Sequence, residues 1–258
     1  MNIIEFTVAE EYYNLKEDFP VPTKVNMPEW YKKLEHGHQD ENLTIQRTIK
    51  GCMPFLDTLV SGYCLKLPVD YKIEFGVKND DEGNPIVKLT TSIDEVGATP
   101  ILKAKGINIP GPGMHTSDQV KGSPFIQKNG GEKMPFLKIN NPWRIRTPKG
   151  YSCLFVNPMN NKPQDYFEII PAIVQTDTYN FQEINFPIIM NYEKHKNVNV
   201  TLQKGLPYVQ IIPFKRDDWQ MVVKPIKNIE KHKASFWNLQ FLNRYKNMFW
   251  KGNKSKWI

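Results

Sequence analysis

His36, His38 and Asp40 fall within the short run His-Gly-His-Gln-Asp. Two imidazoles and one carboxylate are the ligand set of a non-haem iron centre. His115 and His195 are the further histidines that could complete it. The run is polar and follows a helix-like segment, so a solvated loop is the competing reading. Arg144 and Arg146 make a second constellation. Two residues apart on a strand, they project to one face, with Trp143 and Ile145 on the other. Paired guanidinium groups on one face bind a carboxylate or phosphate through parallel bonds. Ion pairs with Asp165 or Glu168 are the structural alternative, and Lys215 and Arg216 could extend the same rim. Asn157 and Asn160 follow shortly after, and Gln210 lies in a later apolar strand. Arg144, Arg146, Asn157 and Gln210 are therefore the ligand-binding candidates.

The carboxylates divide in the same way. Asp57 interrupts the apolar run MPFLDTL, where burial without a partner would be costly, so it is either a site residue or a capped or paired one. Asp177 is the other catalytic candidate. Asp165, Glu168, Asp177 and Glu183 are close in sequence, but nothing in the sequence places them together. Other chemistries find no support. GINIPGPGMH lacks the Lys-Ser/Thr of a phosphate loop, and its prolines remove backbone donors. No Gly-x-Ser-x-Gly occurs, and Cys153 sits inside the apolar YSCLF, where a buried, inert thiol is the default. The other two cysteines, Cys52 and Cys64, are far from it, and no Cys-x-x-Cys occurs. Neither a disulfide framework nor a thiolate zinc site is expected, and a reducing compartment is.

These residues must be held by short strands. Twenty prolines and fifteen glycines punctuate 258 residues. MPEWYKKL reads as a helical turn or two with a buried stripe of Trp30, Tyr31 and Leu34, and MPFLDTLVSGY as a short helix under a sheet. TIQRTIKG reads as a strand. Alternation predicts strands around Tyr63, Leu65 and Leu67, then Ile73, Phe75 and Val77, returning through NDDEGNP into IVKLTTSI. Residues 96–140 read as a loop-rich region too broken by glycine for long elements. A series follows at intervals of about ten residues: FLKINN, WRIRTP, YSCLFVNP, YFEIIPAIVQT, FPIIMNYE, VNVTL, YVQIIPF and WQMVVKPI. The expected fold is mainly β, an antiparallel jelly-roll or β-clip-like sandwich or barrel over residues 1–226, as a single domain.

Residues 227–258 form a separate, basic and aromatic tail, expected as a helix with a broad apolar face. It holds eight Lys and Arg against the single Glu230, so it carries the whole formal charge of +7, and the remaining residues balance at 26 basic and 26 acidic. The body therefore offers no electrostatic reason to bind nucleic acid. Nucleic acid or an anionic surface could be met through the tail alone. Docking of the tail on its own body, on a partner protein or on another copy are the other readings. The opening residues carry early acids and no apolar core segment, which predicts no secretory signal, and no apolar run approaches a membrane span.

From Tyr151 to Phe214 the order of motifs resembles the trimeric dUTPase and dCTP deaminase superfamily. The residues that carry the likeness are AIVQTDTY, then INFPIIMN, then LQKGLPYVQIIPF, with a turn glycine at Gly205 and Gln210 flanked by apolar strand residues. The resemblance implies a distorted jelly roll and, for an active member, Mg²⁺-dependent nucleotide chemistry. Gln175 stands where the family has the carboxylate that activates water, and an amide cannot take that proton. Ala172 replaces the glycine that admits the base, and the Arg-Ser-Ser phosphate segment is missing. Asp177 remains. The resemblance thus carries the fold and not the hydrolysis. Across residues 28–219, the blocks MPEWYKKL, TIKGCMPFLDTLVSGYCLKLP, NPWRIRTPKGYSCLFVNPMN, INFPIIMN and KGLPYVQIIPFKRDDW resemble a family of phage and bacterial proteins with no assigned activity. That implies one domain and a viral setting.

The sequence therefore predicts a phage-encoded binding or assembly protein without catalysis, cytoplasmic in the host or part of the virion. It would be a homo-oligomer or bind another protein through the tail, and no cofactor is predicted. The alternatives are a nucleotide-processing relative of the dUTPases using Mg²⁺ and an iron oxygenase built on His36, His38 and Asp40.

Overall fold

A computed structural model describes residues 2–13, 19–43, 45–79, 85–92, 111–125, 128–129, 132–133, 136–191, 194–195, 197–226, 230, 245–246, 250 and 257. In chain order the elements are β1 (Glu5–Thr7), α1 (Glu10–Tyr13), β2 (Val21–Pro22), α2 (Glu29–Lys33), β3 (Gly37–Gln39) and β4 (Ile45–Arg47). Next come α3 (Met53–Val60), β5 (Tyr63–Lys66), β6 (Tyr71–Asn79), β7 (Pro85–Thr91) and β8 (Pro112–His115). β9 (Lys128–Asn129), β10 (Glu132–Lys133), β11 (Phe136–Ile139), β12 (Arg144–Arg146) and β13 (Tyr151–Val156) follow. The last are β14 (Phe167–Ile169), β15 (Ala172–Val174), β16 (Phe186–Met190), β17 (Val198–Leu202) and β18 (Pro207–Lys215).

The protein is mainly β, with several antiparallel sheets and no closed barrel among the described residues. A five-stranded sheet runs β15-β13-β18-β5-β2, a four-stranded sheet β14-β16-β11-β8, and a three-stranded sheet β17-β6-β7. Three two-stranded pairs complete it: β1-β12, β3-β4 and β9-β10. The period-two pattern sets which side chains enter the core. Phe186, Ile188 and Met190 of β16 are buried in alternation, and Ile145 of β12 is buried between exposed Arg144 and Arg146. One continuous apolar cluster joins the three larger sheets: Phe155 and Ile211 from the first, Ile139 and Ile188 from the second, Ile73 and Phe75 from the third. The Phe155–Phe186 rings, 5.5 Å apart, and the Phe186–Tyr208 rings, 5.8 Å apart, bridge the first two. Fully burying each such side chain contributes roughly 1.5–3 kcal/mol. No helix among the described residues is long and apolar enough to cross a membrane.

Several local expectations need correction. YFEIIPAIVQT is not one strand. Pro171 has no N–H to continue a ladder, and the chain breaks there into β14 and β15, which belong to different sheets. TIQRTIKG is strand only over β4, then tightens into a 3₁₀ turn at Ile49–Gly51. Trp30 is exposed, and Tyr31 is the buried residue of α2. In β5 the adjacent Cys64 and Leu65 are both buried, because both faces of that strand are covered. Within the glycine-rich run, Pro112–His115 is regular: it forms β8 against β11, where a Cβ on Gly113 would meet Lys138 Cε at 2.7 Å. WQMVVKPI forms no strand, and no strand pairs with it among the described residues. The expected C-terminal helix lies almost wholly outside the described residues. Of the tail, Trp250 and Trp257 are seen against the body.

Candidate functional site

A cleft of about 940 Å³ lies where β14 and β16 meet the loop that follows β13. Phe167 and Tyr208, buried in the core, reach its lining, together with Ile189 and Met190. Its walls are rich in proline and in side-chain amides, and the amides hold the backbone. Gln164 Oε1 accepts from the N–H of Tyr166 at 2.7 Å and of Phe167 at 3.1 Å, while its Nε2 donates to Phe167 O at 2.7 Å. Asn157 Oδ1 accepts from Ile169 N at 2.8 Å, and its Nδ2 donates to Ile169 O at 3.2 Å. Phe167 and Ile169 are the residues of β14 whose backbone groups point away from β16. Two amides thus close the open edge of that sheet. Asn160, at φ 56°, donates to Thr58 Oγ1 at 2.6 Å, and Asn161 donates to Asn26 O at 2.8 Å.

Charge gathers at the cleft mouth. Asp165 accepts from Lys194 and lies 3.1 Å from His195 Nε2. The Lys194 bond, helped by His195, holds the Asp165 carboxyl below its ordinary range against the opposing effect of desolvation. His195 also packs on Tyr166, ring centres 4.8 Å apart. Lys162 and Glu168 border the cleft as well, and neither side chain has a charge partner among the described residues.

Gln210, a ligand-binding candidate, is fully buried and acts as a clamp. Its Oε1 accepts from Met159 N at 2.8 Å, and its Nε2 donates to Thr58 O at 2.9 Å and Ser61 O at 2.7 Å. It ties the cleft loop and the end of α3 to β18. Asn157, the second candidate, lines the cleft, but both ends of its amide are engaged by Ile169. Arg144 and Arg146 do share a face, as alternation predicts. Their partners are Glu183, 2.9 Å from Arg144 Nε, and Glu5, 4.0 Å from Arg146, rather than Asp165 or Glu168. Strand β1 supplies Glu5 in register with Arg146.

Asp177 borders a smaller hollow of about 510 Å³ that Arg146 and Lys149 also line. Its carboxylate is 4% exposed and takes Arg216 in a two-bonded grip, NH1 to Oδ1 at 2.9 Å and NH2 to Oδ2 at 2.5 Å. Gly150 N donates to Oδ2 at 2.8 Å. The guanidinium beside it holds the Asp177 carboxyl down at about 2, burial opposing and the Gly150 N–H assisting. Arg216 also donates to Tyr151 O at 2.7 Å and to Ser152 Oγ at 2.9 Å. Asp57 lies elsewhere, on α3, with the Trp250 indole N–H 3.2 Å from each of its oxygens. The tail thus returns to the body there, and again where Trp257 packs edge-on against Tyr63. Of the four charged candidates, Arg146 and Asp177 share a hollow.

The histidine set is not assembled. His38 lies exposed on the β3-β4 hairpin, Asp40 accepts from Asn42 N at 3.0 Å and Gln46 Nε2 at 2.9 Å, and His195 is engaged with Asp165. His115 packs on the Phe136 ring. Among the described residues no three His, Cys, Asp or Glu side chains stand where they could hold a metal ion. Burial pushes the Cys153 thiol up to about 11 and the Cys64 thiol up to about 12. Gln164, the mouth group Asp165-Lys194-His195 and the Trp250 contact were not found by sequence reasoning. Gln164 holds backbone groups only two and three residues on, a turn its residue type alone does not announce, whereas the mouth group and the Trp250 contact join segments 29 to 193 residues apart.

No protein-family model matches the chain, and no curated protein matches it.

Proposed function

We propose that the protein is a binding or assembly protein that works without catalysis, and that its ligand seat is the cleft between β14, β16 and the loop after β13. One observation carries this. The polar side chains suited to chemistry are already engaged in holding the walls or joining strands, while Lys162 and Glu168, which line a partly apolar hollow, have no charge partner among the described residues. Such a lining suits a ligand with an apolar body and charges at its ends, such as a stretch of peptide from a partner protein. A jelly-roll or β-clip arrangement of the sheets, a C-terminal helix lying on the body and a phage setting, in host cytoplasm or virion, belong to the same reading. The sequence resemblances support the sheet arrangement and the phage setting, and the apolar periodicity of the tail supports its helix. The competing reading, a Mg²⁺-dependent nucleotide hydrolase, needs a working carboxylate at Asp177, whose two oxygens are held by Arg216 and Gly150.

Anilinonaphthalene sulfonate, an apolar body with one anionic group, is the test probe. Titration followed by amide resonances should move Asn157, Glu168, Ile189 and Asn191 together. Lys162→Glu should weaken that binding about tenfold, the equivalent of roughly 1.4 kcal/mol. Shifts confined to other surfaces would sink the cleft reading. Turnover of dUTP or dCTP that requires Mg²⁺ and falls in Asp177→Asn would sink the non-catalytic one.

A further inference from the structure

Residues 217–226, Asp-Asp-Trp-Gln-Met-Val-Val-Lys-Pro-Ile, have a strand's composition and no strand's partner. Trp219, Met221 and Val223 fall on one side by the two-residue period and are 92%, 87% and 85% exposed. Val222 and Ile226 are exposed as well. Among the described residues, no backbone hydrogen bond is made anywhere in this segment. Contiguous apolar surface of this kind marks an interaction site, and an extended backbone with free N–H and C=O groups is a template for pairing.

The root of the segment is fixed. Arg216 N donates to Gly150 O at 2.8 Å, and its side chain is gripped by Asp177. The arm therefore leaves the body from one set point, which lowers the ordering cost of docking it elsewhere.

The same end of the same sheet presents an open edge. β15 is the outer strand of the five-stranded sheet, and its central Ile173 is 63% exposed. Its neighbour in sequence, β14, has its outward groups closed by Gln164 and Asn157. No described side chain closes β15 in that way. Register places the two features together. Val174 pairs with Cys153, Lys215 pairs with Tyr151, and Asp177, just beyond β15, holds Arg216. Ten extended residues span about 33 Å. Within one chain β13 stands between the arm's root and β15, so the arm would have to double back across the sheet end. Across a two-fold axis it need only run straight on. Arm and edge then form a self-complementary patch, the geometry of a two-fold dimer.

We propose that residues 217–226 are an exchange arm that pairs as an added strand with the β15 edge of a second copy of this chain. Other occupants of the arm, the cleft included, are outcomes of the test.

Light scattering after size exclusion, together with hydrogen exchange, tests this on the full chain. The wild type should be a dimer with slowed exchange at residues 219–224 and at Ile173, whose backbone groups face outward while those of Ala172 and Val174 face β13. Trp219→Ser with Val223→Lys in the arm, and separately Ile173→Lys on the edge, should each weaken dimerisation about a hundredfold, while the unfolding midpoint matches that of the wild type at protein concentrations low enough for both to be monomeric. Mixing the arm variant with the edge variant should restore a heterodimer, since one sound arm then meets one sound edge. A monomeric wild type, a dimer indifferent to both variants, or a monomer with a protected arm would each overturn the proposal. Probe binding at the cleft should be the same in all these variants, so the cleft reading stands or falls separately.

Discussion

Asp177 and Arg216 grip each other through two parallel hydrogen bonds and so join the exit of β18 to the turn that opens β13. The pair sits at the root of the exposed arm, and it takes up the one carboxylate that the nucleotide-enzyme resemblance retains.

That pair makes stability acid-sensitive. The Asp177 carboxyl is held at about 2 in the folded protein, below the ordinary value near 4 of an unfolded chain. Its contribution is therefore complete above pH ~4 and is lost as the pH falls from ~4 to ~2. Thermal unfolding followed across that window should show the wild type losing stability more steeply than Asp177→Asn. Parallel curves would mean that the grip does not form in solution.

Gln210→Leu should destabilise the protein by about 3 kcal/mol. It leaves Met159 N, Thr58 O and Ser61 O without their partner inside the fold, and each stranded group costs roughly 1–3 kcal/mol. Denaturant titration should show a lowered midpoint with an unchanged slope.

Asn157→Ala and Gln164→Ala each uncover the edge of β14. A loss of about 1–2 kcal/mol apiece is expected, with faster exchange at Ile169 N in the first and Phe167 N in the second. Because an uncovered edge invites strand pairing, both variants should also aggregate sooner on warming.

Thiol reactivity reports on burial. Cys52 is exposed, whereas Cys64 and Cys153 are buried with their thiols pushed up to about 12 and about 11. Ellman's reagent should titrate one thiol at neutral pH in the native protein and all three in guanidinium. Rapid reaction at a second native thiol would contradict the core described for β5 and β13.

Much of the local framework was legible in the sequence because it depends on neighbours alone. Alternation located β5 and β6, turn signals at regular spacing located β13, β16 and β18, the apolar run MPFLDTLVSGY located α3, and the two-residue period put Arg144 and Arg146 on one face with Ile145 on the other. The apolar setting of Cys153 identified an inert thiol. Tertiary structure decided the rest, since which strands pair, in what register and at which edge depends on contacts between distant segments. Asp177 and Arg216 lie 39 residues apart, and Trp250 reaches Asp57 across 193. Gln210 read as a ligand group because an amide in a strand looks the same whether it faces a ligand or three backbone groups. WQMVVKPI shows the limit most plainly. Its composition spells a strand, but a strand exists only where an edge receives it, and among the described residues no edge of its own chain does so.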